Sequence, residues 1–310
     1  MPAEISMPVF LPFATEAQIP VSEADIGDGV RIEMLDSTWL PSVRAQCEKV
    51  RARMIIQGDY THRFVVPIDP TASSPLAITE DELQPLLRAI SLSHIVKPTN
   101  VAMDDIKIKS IYEDNGNTNH FCMIGNANLS IAFTSPNDSH NTLTEDDCRH
   151  MAALWSSFSG LFADSNSLTP RYSRIIRAIK SFEFAHYIYF SNLSYLVYHA
   201  ALESLIYFGD KENAKQITLR LPVILPGIVS DQDADEIYKL NNHLKHGPDP
   251  KGRFKPDPDG GNVIRLMTLL RRSIRELLLR ALSNQGFADI LVDHDLMKRN
   301  YGVQTGQGIM

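Results

Sequence analysis

The chain has 310 residues, of which 44% are hydrophobic and 22% charged, with a net charge of −7. This balance is typical of a soluble globular protein and excludes a disordered chain, and the length allows two domains of ordinary size. The net acidity argues against a general nucleic-acid binder. Cys47, Cys122 and Cys148 lie far apart and form no CxxC pair, so the sequence suggests neither a disulfide framework nor a cysteine zinc site.

Charge is distributed unevenly along the sequence. Residues 1–168 hold 11 Lys and Arg against 22 Asp and Glu, whereas residues 169–285 hold 17 against 12. A polyanionic partner is therefore expected to contact the second half of the chain. The start of the sequence lacks the basic and apolar segments of a signal peptide, and the most apolar window, Tyr187 to Phe208, contains Asn192, His199 and Glu203. This pattern predicts a cytoplasmic protein with a buried core helix and no membrane partner.

Residues 1–135 are predicted to form a mixed α+β domain of unknown role. Runs with strand character occur at 30–34, 63–68, 106–111 and 121–133, and Asn115-Gly116-Asn117 is a hairpin signal between the last two. Helical patterns cover 39–54 and 79–92, and Thr79 with Glu82 matches a capping box. His62, His94 and His120 are isolated in the sequence, and no catalytic constellation is apparent in this half.

A polar linker at 135–142 is followed by patterns that are helical throughout. Thr144 is expected to cap a helix that ends near Phe162, and Thr169-Pro170 is expected to begin the next. That next helix, 171–184, has Ile175, Ile179 and Phe182 on one side with Arg174, Arg177 and Lys180 nearby. Helices are also predicted at 191–208 and 263–283, and the apolar content of the tail, 285–310, ends at Met297.

The segment Glu236 to Gly247 is predicted to be a short helix that ends at Gly247, because glycine tolerates a left-handed cap and Pro248 and Pro250 prevent continuation. Its last turns are densely polar: Asn242 and His246 are four residues apart and project from one face. The following loop, 247–262, contains an Asp-Pro-Asp-Gly run but lacks the glutamate at position twelve that an EF-hand loop requires.

Tyr238-Lys239-Leu240-Asn241-Asn242 followed by His246-Gly247 resembles the signature of HEPN domains, in particular the Apea-like branch. That signature is an arginine, a polar residue, a short spacer and a histidine that is usually followed by glycine. Asn242 and His246 fit the pattern, whereas Asn241 stands where the family usually has its arginine. Two further segments are similar in family order: Ala200-Ala201-Leu202-Glu203-Ser204-Leu205, and the leucine-rich stretch around Arg220, in which Pro222 departs from the family pattern.

The resemblance covers residues 144–284 and implies an all-α HEPN-like bundle after the N-terminal domain, with 285–310 as a C-terminal tail. It also implies a homodimer that acts on RNA as a metal-independent endoribonuclease without a cofactor, in a defence or toxin–antitoxin setting. In that interpretation His246, Asn242 and Asn241 form the catalytic set. Lys239, His243, Lys245 and Arg220 are the candidate RNA-binding residues, and the cations among them are the candidate replacements for the arginine.

Alternatives remain for each of these features. Without the arginine, the domain can instead be a catalytically degenerate HEPN protein that serves dimerisation or the sensing of a partner or nucleotide. His246 can also be an ordinary helix end, where an imidazole lies favourably near the negative end of the dipole. His243 and His246 have the spacing of a metal pair but no third ligand in the sequence pattern. Arg271, Arg272, Arg275 and Arg280 fit a solvated face or an RNA contact.

Overall fold

The protein has an antiparallel β-sheet in its N-terminal part and a mostly helical C-terminal part, as the α+β expectation required. The chain divides into two units, Met1–Ser156 and Ser157–Met310, and the division falls inside one helix. The computed structural model describes residues 3–10, 21–46, 61–68, 78–97, 102–103, 106–112, 118–124, 142–163, 170–186, 188, 191–206, 213–247 and 261–302.

The strands of the first unit form one sheet in which every pairing is antiparallel. They are β1 (Ala3–Phe10), β2 (Glu23–Gly27), β3 (Val30–Met34), β4 (His62–Ile68), β5 (Ala102–Met103), β6 (Ile106–Tyr112) and β7 (Thr118–Ile124). Their order is β2-β3-β4-β1-β6-β7, with the short β5 paired to β1. The strands expected at 30–34, 63–68 and 106–111 are confirmed, whereas β1 and β2 were not predicted.

Two helices, α1 (Trp39–Gln46) and α2 (Glu80–Val96), belong to the same unit. The predicted capping box of α2 is confirmed: the Glu82 amide donates to the Thr79 hydroxyl at 3.3 Å, and the Thr79 amide donates to Glu82 Oε2 at 2.7 Å. This exchange satisfies two amides that a helix start leaves without intrahelical partners. The predicted 115–117 hairpin turn and the expected extension of α1 beyond residue 46 lie outside the described residues.

Helix α3 (Glu145–Leu161) begins where Thr144 and the first-turn acids predicted it. The Thr144 amide and hydroxyl both donate to Asp147 Oδ2, at 2.9 and 2.7 Å, and Lys97 Nζ pairs with the same oxygen at 2.6 Å. Trp155 lies on α3 where the first unit ends, and its indole N–H donates to Asp28 Oδ2 at 2.9 Å. Asp28 and its glycine neighbours have positive φ, so the β2–β3 turn is shaped to receive the indole.

After the end of α3, the described part of the second unit contains seven helices. They are α4 (Ser173–His186), α5 (Ser191–Ile206), α6 (Asn213–Ile224), α7 (Asp231–His246), α8 (Gly261–Ser283), α9 (Gln285–Val292) and α10 (His294–Tyr301). Tyr195 and Tyr198 of α5 are among the largest fully buried side chains, so the apolar Tyr187 to Phe208 window does contain the expected core helix. Burial of a large apolar side chain contributes about 1.5–3 kcal/mol, so α5 is a major source of stability for the unit.

Several bounds differ from the sequence expectation: α7 begins five residues earlier than expected, at Asp231, and α2 ends four residues later, at Val96. Helix α4 begins two residues later than expected, since Pro170 to Ser173 first form a turn closed by the Ser173 amide on the Pro170 carbonyl. Pro222 lies inside α6, which ends two residues later at Ile224. The expected tail, 285–310, is described to residue 302, and α9 and α10 bury Phe287, Leu291 and Met297 in the helical unit.

Among the described residues, the helices are too short or too polar to cross a bilayer.

Candidate functional site

Helix α7 contains the segment 238–247 that resembles the HEPN signature, and its start is fixed by an N-terminal cap. The Asp233 amide donates to the Ser230 hydroxyl at 3.1 Å, and the Ser230 amide donates to Asp233 Oδ2 at 3.2 Å. Arg265 of α8 donates to Asp233 Oδ1 at 2.8 Å and also contacts Glu236. Burial alone would raise the pKa of Asp233, but the bonds from Ser230 and Arg265 outweigh it and lower that pKa.

One side of α7 is anchored in the core of the helical unit. Ala234, Ile237 and Leu240 are fully buried, whereas Leu244, one turn beyond Leu240, is half-buried. Tyr195 of α5 adds a polar anchor, because its hydroxyl donates to the Ile237 carbonyl at 2.8 Å. These contacts hold the body of α7 in place and leave its C-terminal turn to present polar groups.

The helix ends at Gly247 as predicted. Gly247 has φ 82°, in the region that favours glycine, and its amide donates to the His243 carbonyl at 2.9 Å. His246, the last helical residue, is exposed, and so is Lys245. Asn242 and His243 are half-buried. The structure thus brings His246, Asn242, His243 and Lys245 together at one helix end that solvent can reach.

Asn241 lies apart from that group. Its side chain is only 2% exposed, and its Oδ1 makes no hydrogen bond within the described residues. Five residues of α-helix turn a side chain by about 140° beyond a full turn, so Asn241 and His246 point in different directions. The position at which the family has its arginine is therefore an interior position in this chain.

A carboxylate of α5 contacts the exposed end of α7. Glu203 Oε1 lies 3.7 Å from Lys245 Nζ and 3.3 Å from His199 Nδ1. Burial lowers the pKa of His199, which is fully enclosed, so this imidazole is neutral near pH 7. His199 and Lys245 together hold the pKa of Glu203 below its ordinary value, so the carboxylate carries the charge that attracts Lys245.

The other two candidate RNA-binding cations have partners of their own. Lys239 Nζ lies 2.6 Å from Asp235 Oδ2, one turn earlier on α7. Arg220 of α6 is 7% exposed and donates to the Ile206 carbonyl at 3.1 Å and to Gln216 Oε1 at 2.7 Å. Arg220 is thus held in the interior of the helical unit and is not at the surface with His246.

The first unit contains a polar cluster that the sequence did not reveal. Glu4 Oε1 accepts hydrogen bonds from Arg63 Nη1 and the Tyr112 hydroxyl, both at 2.6 Å, and Arg63 Nη2 lies 2.5 Å from Glu33. Burial, followed by the bond to Glu4, raises the pKa of Tyr112 to about 12. His120 is close by: its Nδ1 lies 2.8 Å from the Ser110 hydroxyl, and burial lowers its pKa.

These groups come from β1, β3, β4, β6 and β7 and share one face of the sheet. His120, which is isolated in the sequence, is therefore part of a network. The only sign of this network in the sequence is a two-residue spacing, which separates Glu4 from Ser6 and Ser110 from Tyr112. Residues two apart in a strand lie on the same face of the sheet. The charged members pair with one another, an arrangement that satisfies buried polar groups and stabilises a structure.

Within the described residues, no three histidine, cysteine, aspartate or glutamate side chains are grouped as a metal site would require. The His243 and His246 pair accordingly finds no further ligand in the part of the chain that the structure describes.

Comparison of the chain with models of protein families, with curated proteins and with solved structures found no match in any of the three.

Proposed function

We propose that the helical unit is a HEPN-type RNA-targeting domain that cleaves RNA without a metal, with His246 as the proton-transfer group in a homodimer. The observation that supports this proposal is the exposed C-terminal turn of α7. It holds His246 at the surface, one turn from Asn242 and beside Lys245. A histidine can accept or donate a proton near neutral pH, which is what a metal-independent nuclease requires of its side chains.

The proposed reaction is attack of a ribose 2′-hydroxyl on the adjacent phosphorus. The 2′-oxygen forms a bond to phosphorus while the bond to the 5′-oxygen breaks, which leaves a cyclic 2′,3′-phosphate and a free 5′-hydroxyl. A base takes the proton of the 2′-hydroxyl and an acid gives one to the 5′-oxygen. In a homodimer, His246 and its copy in the second protomer supply the two roles, and Asn242 orients the imidazole or the phosphate.

Lys245 is the described cation nearest in sequence to His246 at this helix end. Its ammonium group can offset the negative charge that develops on the phosphate, and Glu203, 3.7 Å away, positions it. Asn241 cannot do this, since an amide is a neutral donor and its side chain is buried. A neutral hydrogen bond is roughly half as strong as a charge-assisted one.

One observation favours a second candidate function. Because Asn241 occupies an interior position, the chain lacks the guanidinium of the family signature at that site. A catalytically degenerate HEPN-like domain that serves dimerisation or the sensing of a partner or nucleotide also fits this arrangement. The two functions differ in whether the exposed imidazole performs chemistry.

Cleavage of end-labelled RNA by the purified full chain in EDTA distinguishes them. We expect His246→Ala to reduce the rate by about 100-fold or more, the usual contribution of a proton-transfer group. His150→Ala is the matched control, since His150 is exposed on α3, outside the motif. Equal rates for wild type and His246→Ala, or no cleavage by the wild type, would remove the nuclease proposal.

Two further measurements test the setting. Light scattering after size-exclusion chromatography is expected to give a dimer at micromolar concentration, and a monomer would contradict the composite site. If the protein is a defence or toxin effector, its induced expression should arrest growth, and His246→Ala should relieve the arrest.

A further inference from the structure

The outer face of α4 differs from the surfaces described so far. Ser173, Arg177, Lys180 and Phe184 follow one another at intervals of four, three and four residues, so they form one stripe about 16 Å long. The opposite side of α4, which includes Ile175, Ile179 and Phe182, is buried in the unit. We call this stripe the α4 outer face.

A cavity of about 410 Å³ lies over this face. Besides the four residues of the face, its described lining includes Ile176 and Ser181, so that Ser173 and Ser181 supply two hydroxyl groups. Among the described lining residues, none carries a carboxylate. The cavity therefore combines two cations and two hydroxyl groups with apolar surface, which is the chemistry that binds a phosphate next to an aromatic base.

Phe184 is the clearest sign of an interaction surface. Its side chain is 61% exposed, the highest value among the large apolar side chains of the described residues. Exposure of an aromatic ring to water is unfavourable in free energy. An exposed ring beside cations is a common platform on which nucleic-acid bases stack. Lys180 precedes Phe184 by four residues, so the two side chains are neighbours on the helix surface.

The positive charge extends beneath the face. Arg174 belongs to α4 and Arg220 to α6, and burial followed by the charges of Arg177 and Arg220 lowers the pKa of Arg174 to about 10. Arg177, which lines the cavity, therefore lies close enough to the Arg174 guanidinium group for their charges to interact.

We propose that the α4 outer face binds single-stranded RNA, with Arg177 and Lys180 on backbone phosphates and Phe184 stacked on a base. The inference deepens the proposed function, because it assigns a substrate-holding surface separate from the helix end that carries His246. Charge complementarity supports RNA as the occupant: residues 169–285 hold 17 Lys and Arg against 12 Asp and Glu, in a chain whose first 168 residues are acidic.

Binding can be measured without cleavage. A fluorescently labelled single-stranded oligonucleotide with 2′-O-methyl groups has no 2′-hydroxyl to attack phosphorus, so the unmodified full chain can be titrated by fluorescence anisotropy. Each phosphate contact contributes about −0.7 to the slope of log K against log salt for a single strand. We expect Arg177→Gln with Lys180→Gln to make that slope shallower by about 1.4. We expect Phe184→Ala to weaken binding by about 5- to 150-fold, the range measured for loss of one stacked base.

Matched controls are available in the same unit. Lys298→Gln with Arg299→Gln makes the same charge change on exposed positions of α10, and Val223→Ala removes an exposed apolar side chain of α6. Both controls should bind as the wild type does. All substituted side chains are exposed, and far-UV circular dichroism checks that each variant is folded.

The results separate this inference from the nuclease proposal. Binding that depends on the α4 outer face supports the inference even if the wild type cleaves no RNA. Cleavage that needs His246 while the face variants keep wild-type affinity and salt slope would overturn it. Binding to an acidic peptide or to anionic vesicles, but not to the oligonucleotide, would also overturn it.

Discussion

Asn241 offers the sharpest test of the motif helix, because two substitutions there should change stability in opposite directions. Its amide is 2% exposed and its Oδ1 makes no hydrogen bond within the described residues. A buried polar group without a hydrogen bond costs about 1–3 kcal/mol. Asn241→Leu keeps the branched shape and the number of side-chain heavy atoms and removes that cost, so we expect the free energy of unfolding to rise by about 1 kcal/mol.

Asn241→Arg restores the family's residue but places a guanidinium at an interior position. The effective penalty for a buried charge without a built partner is several kcal/mol. A loss of about 3 kcal/mol corresponds to a melting temperature lower by about 6–12 °C for a unit of this size. Restoring the arginine should therefore weaken the fold and should not restore a family-like site.

Thermal and urea unfolding followed by far-UV circular dichroism measure both changes. Asn242→Arg is the matched control, because it makes the same amide-to-guanidinium change one residue later at a half-buried position, and its effect should stay within about 1 kcal/mol. An Asn241→Arg protein as stable as the wild type, or an Asn241→Leu protein less stable by 1 kcal/mol or more, would show that this side chain is not enclosed as described.

The other predictions concern the residues that hold α7 and α5. Gly247→Ala should lower the free energy of unfolding by about 1 kcal/mol, because φ is 82° at this position although the space for a methyl group is open. Gly160→Ala inside α3 should raise the free energy of unfolding by about 0.5–1 kcal/mol. Equal urea midpoints for the two variants would contradict this reasoning. Tyr195→Phe removes the bond to the Ile237 carbonyl and should cost about 1 kcal/mol in urea unfolding, with the m-value unchanged; no loss would mean that this bond contributes nothing. Burial lowers the pKa of His199 from its ordinary 6.5, so the unfolded chain binds that proton more readily than the folded one. Stability from this group should be complete above pH 6.5 and decline as the pH falls below it, and the decline should be shallower in His199→Phe; identical pH profiles would refute the assignment.

Local signals in the sequence predicted much of the helical part. The Thr79 and Glu82 capping box, the start of α3 after Thr144 and the stop of α7 at Gly247 all depend on residues within one or two turns of each other. Such features need no knowledge of the rest of the fold. The α+β division followed from the change between alternating and helical patterns.

Features that depend on distant contacts could not be predicted in the same way. Spacing shows that Asn242 and His246 share a face of α7, but the packing of α7 against the other helices decides that Asn241 is enclosed and His246 is not. Arg220 reads as a surface cation in the sequence, yet its bonds to Ile206 and Gln216 hold it inside. The Glu4, Arg63 and Tyr112 network needs the strand order of the sheet, which no local pattern contains.

The HEPN-like resemblance and the proposed chemistry remain predictions that the experiments above address. In the structure His246 is exposed at the end of α7 and Asn241 is enclosed.

The position of β1 has a consequence for how the first unit is assembled. Residues 3–10 pair with β4 on one side and β6 on the other, although these partners follow about 60 and 100 residues later. During synthesis one edge of this strand therefore stays open until residue 68 has left the ribosome and the other until residue 112, and such distant pairing slows folding. Removing residues 3–10 would not trim a border of the sheet. It would divide the sheet into two separate ribbons, β2-β3-β4 and β6-β7.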